Sequence, residues 1–246
     1  MSSAKLGAVQ PGWVRRVLLV TLFGVAFGYV EAALVVYLRV IYDPVRASLH
    51  PEQPPDSLLP LVTLEELRDA GPEHATRLGI ELGRELATLV MLVAVAALAR
   101  RRRGEWIAFF MIAFGVWDIV YYLGLKAMIG FPDSLLTWDI LFLIPLPWLG
   151  PVLAPVVVSL TMIGAGCVML YETDHERPLQ ARWYHWTGIV AGGLIIIWSF
   201  CKDYDQTLAG EMPDAYAWPL FALGELVGIA AVAHALRQGR NRVAWQ

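Results

Sequence analysis

Glu31, Glu85, Asp118 and Glu225 each lie inside a long apolar run of the chain. On membrane-insertion scales an acidic side chain at the centre of a spanning helix costs about 2.5–3.5 kcal/mol, so such residues mark proton relays, ion paths or ligand sites. Carboxylates held out of water offer two kinds of chemistry. A carboxylate in excess of the available cations either takes a proton or holds a cation, because burial disfavours its bare charge. Two carboxylates in unlike surroundings divide into a general acid and a general base.

The spacing around these residues gives each a direction. Glu81, Arg84, Glu85 and Thr88 fall at i, i+3, i+4 and i+7, a single polar stripe on an otherwise apolar helix. Gly24, Gly28 and Glu31 share a face, and Gly24-x-x-x-Gly28 is the small-residue spacing that lets two helices approach closely. Gly224-x-x-x-Gly228 brackets Glu225 in the same manner, while Gly115, Asp118, Tyr121 and Tyr122 align in the third run. These faces are expected to converge on one pocket, with Asp139 as a further acceptor. The candidate ion- or substrate-binding set is therefore Glu31, Glu81, Arg84, Glu85, Asp118, Tyr121, Tyr122, Asp139 and Glu225. Arg84 can bond two carboxylates through its planar fork, so a static ion-pair network that ties the helices together is the competing reading.

The elements that must carry these groups are helices crossing a bilayer. Of 246 residues, 57% are hydrophobic and 17% charged, where a soluble domain carries about 25% charged residues. Six apolar runs, Val17–Ile41, Leu78–Ala99, Trp106–Leu125, Val152–Leu170, Tyr184–Cys201 and Tyr216–Leu236, have the length needed to cross the membrane, about 17–25 residues for some 30 Å of hydrocarbon. The expected fold is all-α, a single integral membrane domain of six transmembrane helices. The first run is too long for a signal peptide and is read as a retained helix.

Basic residues orient the bundle. Twelve of the nineteen Lys and Arg, among them Arg100–Arg103, fall at one set of alternate span ends, against seven at the other. By the positive-inside rule the first set, with both termini, is cytoplasmic. All four buried acids then lie between the midplane and the outer surface. Sixteen Arg against three Lys suits GC-rich coding and hence a bacterial cytoplasmic (inner) membrane. Arg100–Arg103 is read as a topology anchor touching anionic lipid, and no basic stretch has the aromatic interleaving of a nucleic-acid groove.

Two outer segments break the pattern. In the extracytoplasmic segment 42–77, Pro51, Pro54, Pro55 and Pro60 make the first half irregular, and Thr63 with Glu66 forms a capping box that predicts a short helix over 64–70. This segment could serve as a lid or as the docking site of a protein partner. At 138–150, Pro145, Pro147 and Pro151 forbid one straight helix with the fourth span. A short helical piece, re-entrant or interfacial, is expected over Trp138–Ile144.

No cofactor is predicted. A transition metal lacks the Glu-x-x-His pattern of carboxylate bundles, and His50 and His74 belong to the outer loop. Haem between His185 and His234 would sit close to the interface. Cys167 and Cys201 should lie too far apart to bridge. The indole of Trp117, adjacent to Asp118, suits a planar ligand or plain core packing. The leading expectation is a proton- or cation-linked transporter or carrier. The alternatives are a membrane-embedded enzyme acting on a lipid or quinone at the outer leaflet, and a non-catalytic subunit of a membrane complex. The sequence does not decide whether the chain is an enzyme.

Overall fold

The computed structural model describes residues 12–49, 51–52, 72–143, 146–177, 179, 181–209 and 211–243. Its helices are α1 (Gly12–Leu49), α2 (Pro72–Ala99), α3 (Glu105–Ile129), α4 (Leu153–Asp174), α5 (Trp183–Cys201), the short α6 (Tyr204–Leu208) and α7 (Trp218–Val243). Six of them, all but α6, are long and apolar enough to cross a membrane. The fold is an all-α polytopic membrane architecture. Leu22, Leu98, Leu160, Leu194 and Leu226 are each more than half exposed. So wide an apolar girdle needs lipid to cover it.

The helices overrun the apolar runs that define them. α1 continues past Pro44 to Leu49 and α2 begins at Pro72, so both take residues from the segment read as a loop over 42–77. The helix expected over 64–70 lies outside the described residues.

Between α3 and α4 the expected helical piece is not found. Trp138–Phe142 (β1) and Trp148–Pro151 (β2) form an antiparallel hairpin, pairing Trp138 with Pro151, Asp139 with Gly150, Ile140 with Leu149 and Phe142 with Trp148, with an irregularity between Ile140 and Phe142. The physical reason lies in the prolines, which deny a helix its donors, and in the bulky Trp, Ile and Phe side chains, which suit a pleated surface. α3 closes before the hairpin at Gly130, whose φ of 76° is left-handed and whose N–H returns to Lys126 O at 3.1 Å. Lys126 Nζ then donates to Gly130 O and Pro132 O, both at 2.8 Å.

Three helix pairs carry the bundle: α1 with α3, α3 with α4, and α5 with α7. Each is permitted by glycine. A Cβ on Gly28 would stand 2.6 Å from Trp117 O, one on Gly115 2.5 Å from Ser159 O, and one on Gly192 2.7 Å from Gly224 O. In lipid, packing between helices depends on van der Waals contact, and that demands such close approach. One apolar cluster, built on Leu92, Phe109, Ile112 and Leu170, fills the α1–α4 side. A second, Ala154, Phe200, Tyr216 and Phe221, receives Trp138 and Trp148 of the hairpin. The hairpin thereby straps one end of the bundle, its β2 strand lying on α5 with Trp148 stacked on Phe200 at 6.1 Å.

Candidate functional site

The site is built at the strapped end. Arg84 on α2 bonds Glu31 of α1 through Nη1 and Glu81 through Nη2, and its Nε donates to Glu81 Oε1 and Oε2 at 2.9 and 3.0 Å. The Thr88 hydroxyl, one turn deeper, lies 3.2 Å from Glu31 Oε1 and 3.1 Å from Arg84 O, sharing its hydrogen between them. The i, i+3, i+4, i+7 stripe thus meets Glu31 as its facing predicts. The fork of Arg84 is turned to these two carboxylates.

Glu85 differs. Its Oε1 accepts the backbone N–H of Leu143, just beyond β1, at 2.9 Å. Its Oε2 is buried with no hydrogen-bond partner, on a residue 7% exposed. Among the described residues no cation forms a salt bridge with it.

A second group sits on α3 and the hairpin. Asp118 Oδ2 accepts the Ser159 hydroxyl of α4 at 2.8 Å, and Asp139 Oδ2 accepts the Tyr122 hydroxyl at 3.2 Å. Both acids are buried, and among the described residues neither forms an ion pair. Burial pushes the Asp139 carboxyl up to about 6; the charge of Arg39, the Tyr122 hydroxyl and the Ile140 N–H act against that shift. Arg39 itself lies over the Phe131 ring, 4.4 Å from its centroid.

Tyr121 joins the two groups. Its ring stacks near Trp117 and meets Tyr122 edge-on at 5.0 Å, and its hydroxyl lies within electrostatic reach of Asp139, Asp118, Arg39 and Arg84. Glu31, Glu81, Arg84 and Glu85 on α1 and α2, and Asp118, Tyr121, Tyr122 and Asp139 on α3 and β1, are therefore two polar groups that lie within electrostatic reach of each other through Tyr121. Glu225 is brought into neither. It lies on α7 near Thr161 of α4, and the glycines beside it serve packing on α5. Ser159 and the Leu143 backbone are the contributors that sequence reasoning missed: a serine in an apolar run carries only a weak signal, and a backbone donor carries none.

The opposite end is organised by arginine. Arg16 Nη1 bonds Glu105 Oε2 at 2.6 Å and Ala99 O at 2.9 Å, and the N–H groups of Arg101 and Arg102 reach the same carboxylate oxygen at 2.7 and 3.3 Å. A cavity of about 230 Å³ opens beside it among Arg102, Glu105, Met169, Thr173 and Trp186. Glu172, 2% exposed, pairs with Arg240 through Oε1. His185 and His234 meet through Nε2 and Nδ1 at 2.9 Å.

Buried polar atoms without a partner among the described residues are Glu85 Oε2, Trp117 Nε1, Trp148 Nε1 and Glu172 Oε2. No three His, Cys, Asp or Glu among the described residues gather in a form that could hold a metal ion. Chemically, the two groups can take up and release protons and can stabilise positive charge. No family model, no curated protein and no solved structure matches this chain.

Proposed function

We propose that this chain is a proton-exchanging carrier of a bacterial cytoplasmic membrane, with the hairpin end facing outward and both termini in the cytoplasm. The orientation rests on the sequence pattern, twelve Lys and Arg at one set of alternate span ends against seven at the other, and on the positive-inside rule. The reading of function rests on one observation. Asp118 and Asp139 are both buried, the charge of one is felt at the other, and each is held by a neutral hydroxyl in place of a cation.

An acid so placed is stable when protonated and reactive when not, which is the condition for proton exchange. Arg84 pairs with Glu31 and Glu81, offsetting one of their two charges, and Glu85, Asp118 and Asp139 are left to handle protons or a cationic solute. The hairpin supplies the gate, since the Leu143 N–H just beyond β1 is bonded to Glu85 and Asp139 lies on β1. Swinging it away from α2 and α3 would open both acids to the outer solution, and its return would close them.

The test is reconstitution of the purified chain in liposomes loaded with a pH-sensitive dye. Imposed pH gradients should dissipate through the protein, and Asp118→Asn should abolish that flux with the fold intact. Equal flux from the wild type and Asp118→Asn, or none from either across a panel of cationic solutes, would overturn the reading. Orientation is checked separately by labelling single cysteines placed at 103 and 135 with an impermeant thiol reagent. Labelling of position 103 from outside would reverse it.

A further inference from the structure

Around the arginine-end cavity three spans begin or end, α3 at Glu105, α4 at Asp174 and α5 at Trp183. The cavity, about 230 Å³ in volume, therefore stands at the level where hydrocarbon gives way to headgroups. Its lining changes character with depth. Arg102 and Thr173 lie at the span ends, whereas Ala108 stands one turn inside α3 and Leu170 one turn inside α4, about 5–6 Å deeper at the helical rise. Ala108, Met169 and Leu170 belong to the apolar cluster of the α1–α4 side. Ala181 of the α4–α5 connection and Trp186 of α5 also line the space.

The charged residues of the lining are Arg102 and Glu105. Glu105 is answered by Arg16 and by the N–H groups of Arg101 and Arg102. Arg102 gives Nη1 to Thr173 O at 2.7 Å, which fixes its guanidinium beside the cavity. Among the described residues it forms no salt bridge. The uncompensated charge is positive, and the planar fork that carries it matches a phosphate.

A hydrated inorganic anion would meet that charge but would press its own against apolar carbon, which costs desolvation. A hydrocarbon alone would leave the guanidinium unanswered. A phosphate joined to a carbon skeleton answers both walls, and basic pockets between spanning helices are places where anionic lipid headgroups are held. At about 30 Å³ for each water-sized group, the space admits roughly eight of them, enough for a phosphate and the first carbons of its glycerol. The acyl chains would stay outside in the bilayer. Trp186, 39% exposed, adds an amphipathic ring of the kind that sits at headgroup level.

We propose that this cavity holds one anionic phospholipid of the leaflet at the arginine end, its phosphate on Arg102 and its glycerol carbons against Ala108, Met169 and Leu170. The site shares no residue with the acids of the hairpin end and does not depend on the carrier reading.

Native mass spectrometry on the delipidated full chain in detergent, titrated with phosphatidylglycerol or phosphatidylcholine, tests the assignment. The first phosphatidylglycerol should bind at least about tenfold more tightly than phosphatidylcholine, whose choline offsets the phosphate charge. Arg102→Gln should erase that preference. Arg103→Gln, which takes the same charge from an exposed neighbour outside the lining, should keep it. Ala181→Phe fills the space while leaving every charge in place, and should weaken the first phosphatidylglycerol at least about tenfold. Thermal unfolding verifies that each variant is folded, and Ala181→Phe decides the matter if Arg102→Gln is not.

Equal weakening by Arg102→Gln and Arg103→Gln would reduce the attraction to diffuse surface charge and overturn the proposal. So would phosphatidylcholine binding as tightly as phosphatidylglycerol, or wild-type binding by Ala181→Phe. Inorganic phosphate, compared with chloride at matched ionic strength, distinguishes the source. Displacement of phosphatidylglycerol by phosphate alone would mark a site for a free anion and overturn the lipid assignment, and indifference to both would support it.

Discussion

The two ends of the bundle treat buried carboxylates in opposite ways. At the arginine end Glu105 receives Arg16 and two backbone N–H groups, and Glu172 receives Arg240. At the hairpin end a single guanidinium serves Glu31 and Glu81, while Asp118 and Asp139 have hydroxyls and Glu85 a backbone N–H. All but Glu81 are buried carboxylates, and what differs is the partner. An acid given a cation is an anchor, and an acid given a neutral partner is free to change its protonation state.

That contrast can be broken most severely at its hinge, Arg84. Arg84→Ala strands Glu31 and Glu81 without a cation, and the loss should be about 3 kcal/mol, as for other pairs broken by removing one partner. Thermal unfolding of the variant in detergent reads it, and a wild-type midpoint would mean that the pair is ornamental. At the other end, Glu105→Ala removes the carboxylate that Arg16 and two N–H groups share and should lower stability by about 2 kcal/mol. Proton flux per folded molecule should be unchanged, and loss of flux would mean that the arginine end takes part in exchange.

A smaller effect is confined to one proton. The Asp139 carboxyl stands at about 6, above the ordinary value of 3.8, so the folded chain holds its proton more tightly than the unfolded chain does. The resulting stabilisation is complete in acid below the ordinary value and is lost as pH rises through about 6. Subtracting the stability–pH curve of Asp139→Asn from that of the wild type should leave this downward slope, and a flat difference would place Asp139 in contact with water. The smallest effect on stability is expected where the effect on flux is largest. Asp118→Asn keeps the shape and can still accept from Ser159, so unfolding should shift by less than about 1 kcal/mol. A large destabilisation would make Asp118 an anchor after all.

The spans were legible because lipid requires long apolar runs, and the Glu81–Thr88 stripe because helical period alone turns those residues to one side. The hairpin was not legible. Trp138-Asp139-Ile140-Leu141-Phe142-Leu143 is nearly continuous in apolar character, so it carries no alternation to separate a strand from a short buried helix. Gly224 and Gly228 announced a close helix contact but not its partner, which is α5, and Glu225 was drawn toward the wrong neighbours for that reason. Ser159 escaped because the register of α4 on α3 is set by Gly115 packing against its carbonyl, a long-range fit that one strand of sequence does not display.

The histidine contact at the arginine end has its own consequence. His185 Nδ1 lies 2.9 Å from the backbone N–H of Arg182 and can only accept there, so the ring hydrogen resides on Nε2 and is donated to His234 Nδ1. His234 then keeps its own hydrogen on Nε2, and both rings are uncharged. The first turn of α5 is sealed by the same imidazole that clasps the last turns of α7. An extra proton on His185 Nδ1 would uncap one helix, and one on His234 Nδ1 would release the other, so the two helices share a single tautomeric lock.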